Sequence, residues 1–148
     1  MRRVIPALVL ACAGFVVCTS ADAQNTHKPA DDSVYQAFGQ KAGLQALMED
    51  FVTRLKVDAR TGPFFKDTNR ANLVEQLTEQ LCQEAGGPCL YKGAPMGPVH
   101  RDMEIGKEHF NALVEVLQQS MEAKGVPFRA QTAMLARLAP MHRDIITR

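Results

Sequence analysis

Apolar residues in this chain recur every three or four positions and nowhere convincingly every second one. Leu44, Leu47, Met48, Phe51 and Leu55 form one such series. Leu73, Leu77 and Leu81 form another, as do Phe110, Leu113, Val114, Leu117 and Met121, and then Met134, Leu138, Met141 and Ile145. This period puts each set on one face of an α-helix, whereas a half-buried strand would need strict alternation. The fold class is therefore all-α, with main helices expected over residues 41–57, 70–85, 106–123 and 129–146. Breaks fall at Thr61-Gly62-Pro63, Gly86-Gly87-Pro88 and Gly125-Val126-Pro127, where proline and glycine stop helices. A short helix holding Val34, Tyr35 and Phe38 is expected upstream, capped by Asp32 or Ser33. Asn69 or Thr68 is positioned to cap the helix from residue 70. Residues 88–98 contain three prolines and two glycines, which predicts an irregular loop and then one or two helical turns around residue 100. A chain of 148 residues suits one domain with one core.

The first residues read as a targeting segment. Arg2-Arg3 supply the positive start, Val4 to Cys18 an apolar run, and Ala21-Asp22-Ala23 a small-residue cleavage site. The run is short for a membrane span. The expected division is a signal peptide over residues 1–23, a flexible polar arm over 24–33, and one domain over 34–148. Export to the periplasm or beyond follows, with no membrane attachment after cleavage. A lipoprotein reading at Cys12 is the alternative, although the apolar run continues well past that cysteine. Removing Arg2, Arg3 and Asp22 leaves 15 basic and 15 acidic side chains, so a nucleic-acid partner is not indicated.

Cys82 and Cys89 remain after the leader is removed. They flank the Gly86-Gly87-Pro88 turn, and in an oxidising compartment two such thiols can bridge. A loop this short would contribute roughly 2–3 kcal/mol on the chain-entropy account. Two separate thiols are the other reading. No further cysteine or histidine clusters with them as a zinc site would require.

His100 follows the stretch Tyr91-Lys92-Gly93-Ala94-Pro95-Met96-Gly97-Pro98-Val99. The helix before it carries Leu73, Leu77 and Leu81, with Phe64-Phe65 just upstream. One imidazole facing an apolar wall fed by an aromatic pair suits a haem iron, which needs a nitrogen ligand and a dry pocket for the porphyrin. The same pattern describes an ordinary core or surface histidine, and spacing alone leaves both open.

Taken together, Phe64-Phe65, the Leu73 helix, Gly86-Gly87-Pro88, Tyr91-Lys92-Gly93, Met96, His100 and then His109-Phe110 resemble a group I truncated haemoglobin. The resemblance runs from Tyr35 to about Pro140. It implies a two-over-two helical sandwich and one haem b per chain, with His100 as the iron ligand. It also implies a haem contact for Phe65, and pocket-lining roles for Leu73, Leu77, Met96, Val99, Met103, Ile105, Phe110, Leu113, Met134 and Leu138. Each of these could equally be ordinary core. His109 is expected as a cap or interhelical hydrogen-bond partner, with a rival iron-ligand role as the alternative. Tyr91 is expected to anchor the loop. Lys92 reads as a solvated side chain, with pairing to a haem propionate as the alternative.

The side opposite His100 departs from the family pattern. Many members place a tyrosine on the second helix and glutamines on the facing one, and these donate to bound oxygen. Here those positions are Val52, Leu73 and Leu77. Gln76 lies nearby but is aimed more toward solvent, and Gln80 is offset by a further turn. Gly39 is followed by Gln40, where a second glycine is usual. Loss of a buried donor costs about 1–3 kcal/mol, so oxygen should be held weakly and carbon monoxide affected less.

The leader and the resemblance together imply an exported haem protein that binds O2, NO or CO in an apolar pocket, expected as a monomer, with an electron donor as a further expected partner. An enzyme of nitric oxide dioxygenation or peroxidase type is a second reading, although Val52, Leu73 and Leu77 supply no acid–base group for peroxide. A haem-free helical binding module is a third.

Overall fold

The structure is a computed structural model that describes residues 31–148. The leader, its cleavage site, Cys12 and most of the expected polar arm lie outside the described residues. Those described form helices without strands: α1 (Ser33–Ala37), α2 (Gln40–Val57), α3 (Gly62–Phe65), α4 (Arg70–Glu84), α5 (Met96–His100), α6 (Lys107–Ala123), α7 (Phe128–Leu138) and α8 (His142–Ile145). None of these helices is long and apolar enough to cross a membrane.

Helix α2 is the centre of the packing. Leu44, Leu47, Met48, Phe51, Val52 and Leu55 are all buried, and the helix lies mainly against α4 and then α6. From α4 come Val74, Leu81 and Cys82; from α6, Ala112, Val116, Leu117 and Met121; from α7, Ala130 and Met134. This gives α2 and α4 laid over α6 and α7, with α1 bridging α2 and α7. Burial of side chains of this size contributes about 1.5–3 kcal/mol each.

Local chemistry sets the helix ends. The Asn69 side chain accepts from the Asn72 backbone N–H at 3.0 Å, so asparagine is the cap of α4. At the other end Gly86 takes φ +85°, and the Arg137 guanidinium donates to the Glu84 carbonyl at 2.7 Å, a cation on a helix C-terminus. The α1–α2 corner is tight: a Cβ at Gly43 would collide with the Phe38 carbonyl. Gly39 there has φ +73°, and Gln40 is also left-handed at φ +60°.

The expected helix over 129–146 is a correction. Helix α7 ends at Leu138, a 3-10 turn spans Ala139–Met141, and α8 follows. Pro140 is the cause: it has no N–H for the helical ladder, and its ring crowds the preceding turn. The pattern of α4 is also rotated by about one residue from the expected leucine stripe. Val74, Thr78, Leu81 and Ala85 form the buried face, while Leu73 and Leu77 are half-buried beside it. Thr78 is accommodated there because its hydroxyl donates to the Val74 carbonyl at 2.7 Å.

Two stability outcomes follow from these ends. Asn69→Ala should lower unfolding free energy by about 1 kcal/mol, read as a shift of the urea midpoint at unchanged slope. Gln40→Gly should raise it by about 0.5–1 kcal/mol, since the left-handed penalty on a side-chain-bearing residue (roughly 1–2) exceeds glycine's entropic cost. A midpoint that falls in the glycine variant would mean that Gln40 is not strained.

Candidate functional site

The residue 85–95 segment between α4 and α5 is irregular, as its prolines require, and it ends at Pro95, whose extended backbone (φ −59°, ψ 146°) leads into α5. His100 is the last residue of that short helix and is half-buried. Its Nδ1 lies 2.7 Å from the Met96 carbonyl oxygen. A carbonyl only accepts, so Nδ1 carries the proton and donates, and in the neutral ring the lone pair is therefore on Nε2. The tautomer is set by the turn of helix that positions the ring.

His100 faces a narrow apolar slit. Its other walls are Thr61, Phe64 and Phe65 from the α3 turn, Met103 and Ile105 after α5, His109, Phe110 and Leu113 from α6, and Ile145 from α8. The slit has a volume of about 60 Å³. Organic ligands generally occupy about 300–1,000 Å³, so a flat macrocycle seats only as the walls part. Methionine at 103, unbranched and adaptable, suits a wall of that kind.

The donor set can be weighed against metals in general. Among the described residues, no group of three or more His, Cys, Asp or Glu side chains could hold a metal ion. A metal bound only by protein ligands therefore finds no seat here. A metal that brings its own planar ligands needs one imidazole nitrogen and an apolar slit, and both are present. These residues fit a haem.

The slit unites Phe65, His100, Met103, Ile105, Phe110 and Leu113 from the sequence expectations, and it adds Thr61, Phe64, His109 and Ile145. Phe64 and Ile145 carried a signal, as half of an aromatic pair and as the end of an apolar series. Thr61 carried none: it is buried because its hydroxyl donates to the Leu55 carbonyl at 2.8 Å. Other expected residues lie elsewhere. Met134 and Val52 are wholly enclosed in the core. Leu73, Leu77 and Leu138 are half-buried against its margin. Met96 is half-buried one turn before His100. Val99 is 50% exposed.

The glutamines also divide. Gln76 is half-exposed. Gln80, expected to be offset, is instead buried, 7% exposed, with its amide nitrogen 3.4 Å from the Met141 sulfur and 3.8 Å from the Met96 sulfur. Thioethers are weak acceptors, but they direct this amide toward α5 and the 3-10 turn. His109 acts as a cap: its Nδ1 accepts from the Gly106 N–H at 3.1 Å, and its ring meets Phe64 edge-on at 4.9 Å. The Tyr91 hydroxyl donates to the Ala94 carbonyl at 3.1 Å and so braces the loop from within. Lys92 is exposed. Cys82 and Cys89 are joined as a disulfide.

A larger open cleft of about 320 Å³ adjoins the slit, sharing Phe64 and His109 as walls. Its charged groups are engaged by neighbours. Arg60 donates to Asp58 and to Glu115, and Glu108 accepts from Arg148. His100 lines the smaller space and not the cleft, and chemistry follows the donor, not the volume.

The family model for bacterial-like globins matches residues 33–147. A group 1 truncated hemoglobin of Mycolicibacterium paratuberculosis is 32% identical over 115 residues, covering 78% of this chain and 85% of the relative. One from Tetrahymena thermophila is 31% identical over 94 residues, 64% of this chain and 78% of its own length. Among solved structures, the truncated hemoglobin of Tetrahymena pyriformis in its Fe(III) form superposes with a TM-score of 0.74 at 26% identity, covering 78% of this chain and 98% of that one. The chain belongs to the bacterial-like globin family, and within it to the group I truncated haemoglobins.

Proposed function

We propose that this protein is an exported, monomeric haem protein that takes up one haem b, ligates its iron through His100 Nε2, and binds a diatomic gas on the opposite face. Membership of the globin family supports haem and a diatomic ligand. The observation that carries the assignment to His100 is the Nδ1–Met96 hydrogen bond, which makes Nδ1 the donor and leaves Nε2 as the nitrogen available to a metal, on a residue that lines the slit. A ligating histidine ordinarily has its second nitrogen held in this way, which fixes the ring and raises its basicity. Bound at such a nitrogen, haem iron supplies a reversible site for O2, NO or CO.

The chain's own residues set the selectivity. Val52 is fully buried, Leu73 and Leu77 present only hydrocarbon, and the Gln80 amide is directed to Met96 and Met141. Bound oxygen is polar and gains from a donor, whereas carbon monoxide gains less. A pocket without a donor therefore retains carbon monoxide and releases oxygen quickly. That argues for scavenging or sensing of a gas over sustained oxygen transport, and against chemistry that depends on long retention of oxygen. An exported location accords with the apolar leader and with the Cys82–Cys89 bridge, since such bonds persist in oxidising compartments. Any electron donor would serve only to keep the iron ferrous.

The decisive test is an optical spectrum of the chain from Gln24 onward, supplied with haem, in ferric, reduced and CO-bound forms. A Soret band that shifts at each step in the parent protein and is lost or strongly weakened in His100→Ala is the expected result. No stable haem uptake would end the haem reading, and an unchanged spectrum in the variant would move the ligand elsewhere. Selectivity has its own test in Leu77→Gln, which restores a donor on α4. Oxygen affinity should rise by a factor of roughly 5–150, the equivalent of about 1–3 kcal/mol, with a smaller change for carbon monoxide. Equal changes for both gases would show that residue 77 does not face the bound ligand. Export is read from cell fractions and intact mass, with an N-terminus at Gln24 expected and a retained leader contradicting it.

A further inference from the structure

We propose that the Cys82–Cys89 disulfide is a positioning device for His100, so that reducing it loosens the iron ligand while leaving the helical core intact. The inference rests on the assignment of His100 as that ligand.

The bridge has one end in the rigid part of the molecule and the other in the irregular part. Cys82 is on α4, fully enclosed and packed with the core residues around α2. Cys89 is half-buried, in the non-helical segment that runs from Ala85 to Pro95 and delivers α5. The turn between them is built around the sulfur. A Cβ at Gly87 would stand 2.8 Å from the Cys82 sulfur and 2.6 Å from the Tyr35 ring, so only glycine lets the chain pass this close.

The other ties from α4 to this segment are slight. The Gly87 N–H donates to the Cys82 carbonyl at 2.8 Å, which closes the turn but does not reach the loop beyond it. The Tyr91 N–H donates to the Gln83 side chain at 2.9 Å, in an exposed position where water competes. The Gln80 amide reaches the Met96 sulfur at 3.8 Å, a long bond to a weak acceptor. On its far side α5 packs against α8, itself a helix of four residues near the C-terminus. The disulfide is therefore the strongest link between the core and the strap that ends at Met96 and His100. Because the Met96 carbonyl holds the His100 ring, displacement of the strap is displacement of Nε2.

Reduction requires a dithiol. Its thiolate attacks the Cys89 sulfur, the more accessible of the two, and the Cys82–Cys89 bond breaks with Cys82 leaving as a thiolate. The second thiol of the reagent then closes a disulfide within the reagent and releases Cys89. Two electrons and two protons pass from the reagent to the two cysteines. Charge on Cys82 is disfavoured in its apolar surroundings, so the step is slow, and a variant is needed beside the reagent.

The experiment compares parent protein, parent treated with dithiothreitol, and Cys89→Ser, which leaves Cys82 in its packed place. Three readouts are taken: amide exchange in the haem-free chain, haem transfer to excess apomyoglobin, and the iron–histidine band in resonance Raman spectra of the reduced haem form. Exchange protection should fall over residues 89–100 and persist in α2 and α6. Haem should leave about 10- to 100-fold faster, as when a partner of a ligating histidine is lost, with the band shifted or broadened and restored on reoxidation of the treated parent. Haem loss within about twofold of the parent and an unchanged band would overturn the proposal. So would a loss of protection spread equally through α2 and α6, which would make the bridge a general stabiliser. If the parent takes up no haem, the ligand assignment itself fails, and the exchange data still decide whether the bridge holds the strap.

Discussion

Helix α2 is surrounded, and most of the molecule follows from that. Six of its apolar side chains are buried against α4 and α6. A helix with apolar residues on so much of its surface needs partners on more than one side. Laying α4 along one flank and α6 across another meets that need, and α1 and α7 close the remaining gaps. Val52, proposed to leave a bound gas without a hydrogen-bond donor, is wholly enclosed in this core. On that proposal the apolar character of the gas side and the stability of the fold are two aspects of one packing arrangement.

The histidine side is built on the opposite principle. Its elements are short and its loop irregular, and few apolar contacts hold it. Precision at His100 comes instead from discrete bonds: Nδ1 to the Met96 carbonyl, the Tyr91 hydroxyl to the Ala94 carbonyl, and the covalent bridge from Cys89 to α4. A slit that is proposed to admit a flat macrocycle cannot be closed by core packing. Local bonds can orient one ring while the walls stay adaptable, and Met103 in the wall fits the same requirement. Rigidity at the anchor and compliance at the walls can then coexist in a small domain.

The polar residues that serve the fold are those whose hydrogen bonds are answered locally. Thr61 and Thr78 donate to carbonyls of their own neighbourhood, and His109 caps α6 while its ring forms a wall of the slit. Gln80 is the exception in kind, since its amide meets sulfur and not oxygen. Its burial keeps a potential donor on α4 engaged with the α5 side of the molecule.

By itself the sequence determined what is local. The period of apolar residues specified helices, glycine and proline marked their ends, and Asn69 announced a cap, because each depends on a few neighbouring residues and the backbone alone. The Gly86-Gly87-Pro88 break and the prolines after it marked the irregular segment, while a Cys82–Cys89 bridge was one of two readings left open and is the one the structure contains. What only the tertiary structure decided is how each helix is rotated and where it stops. On α4 the leucine stripe at 73, 77 and 81 pointed one way, while the true inward face includes Thr78, and Gln80 is buried beside it. Polar letters concealed that face, since their burial is licensed by partners that no single helix contains. Val99 turned outward and Pro140 divided the last helix for related reasons. The orientation of a short helix depends on what packs against it, and a proline late in an apolar series outweighs the period around it.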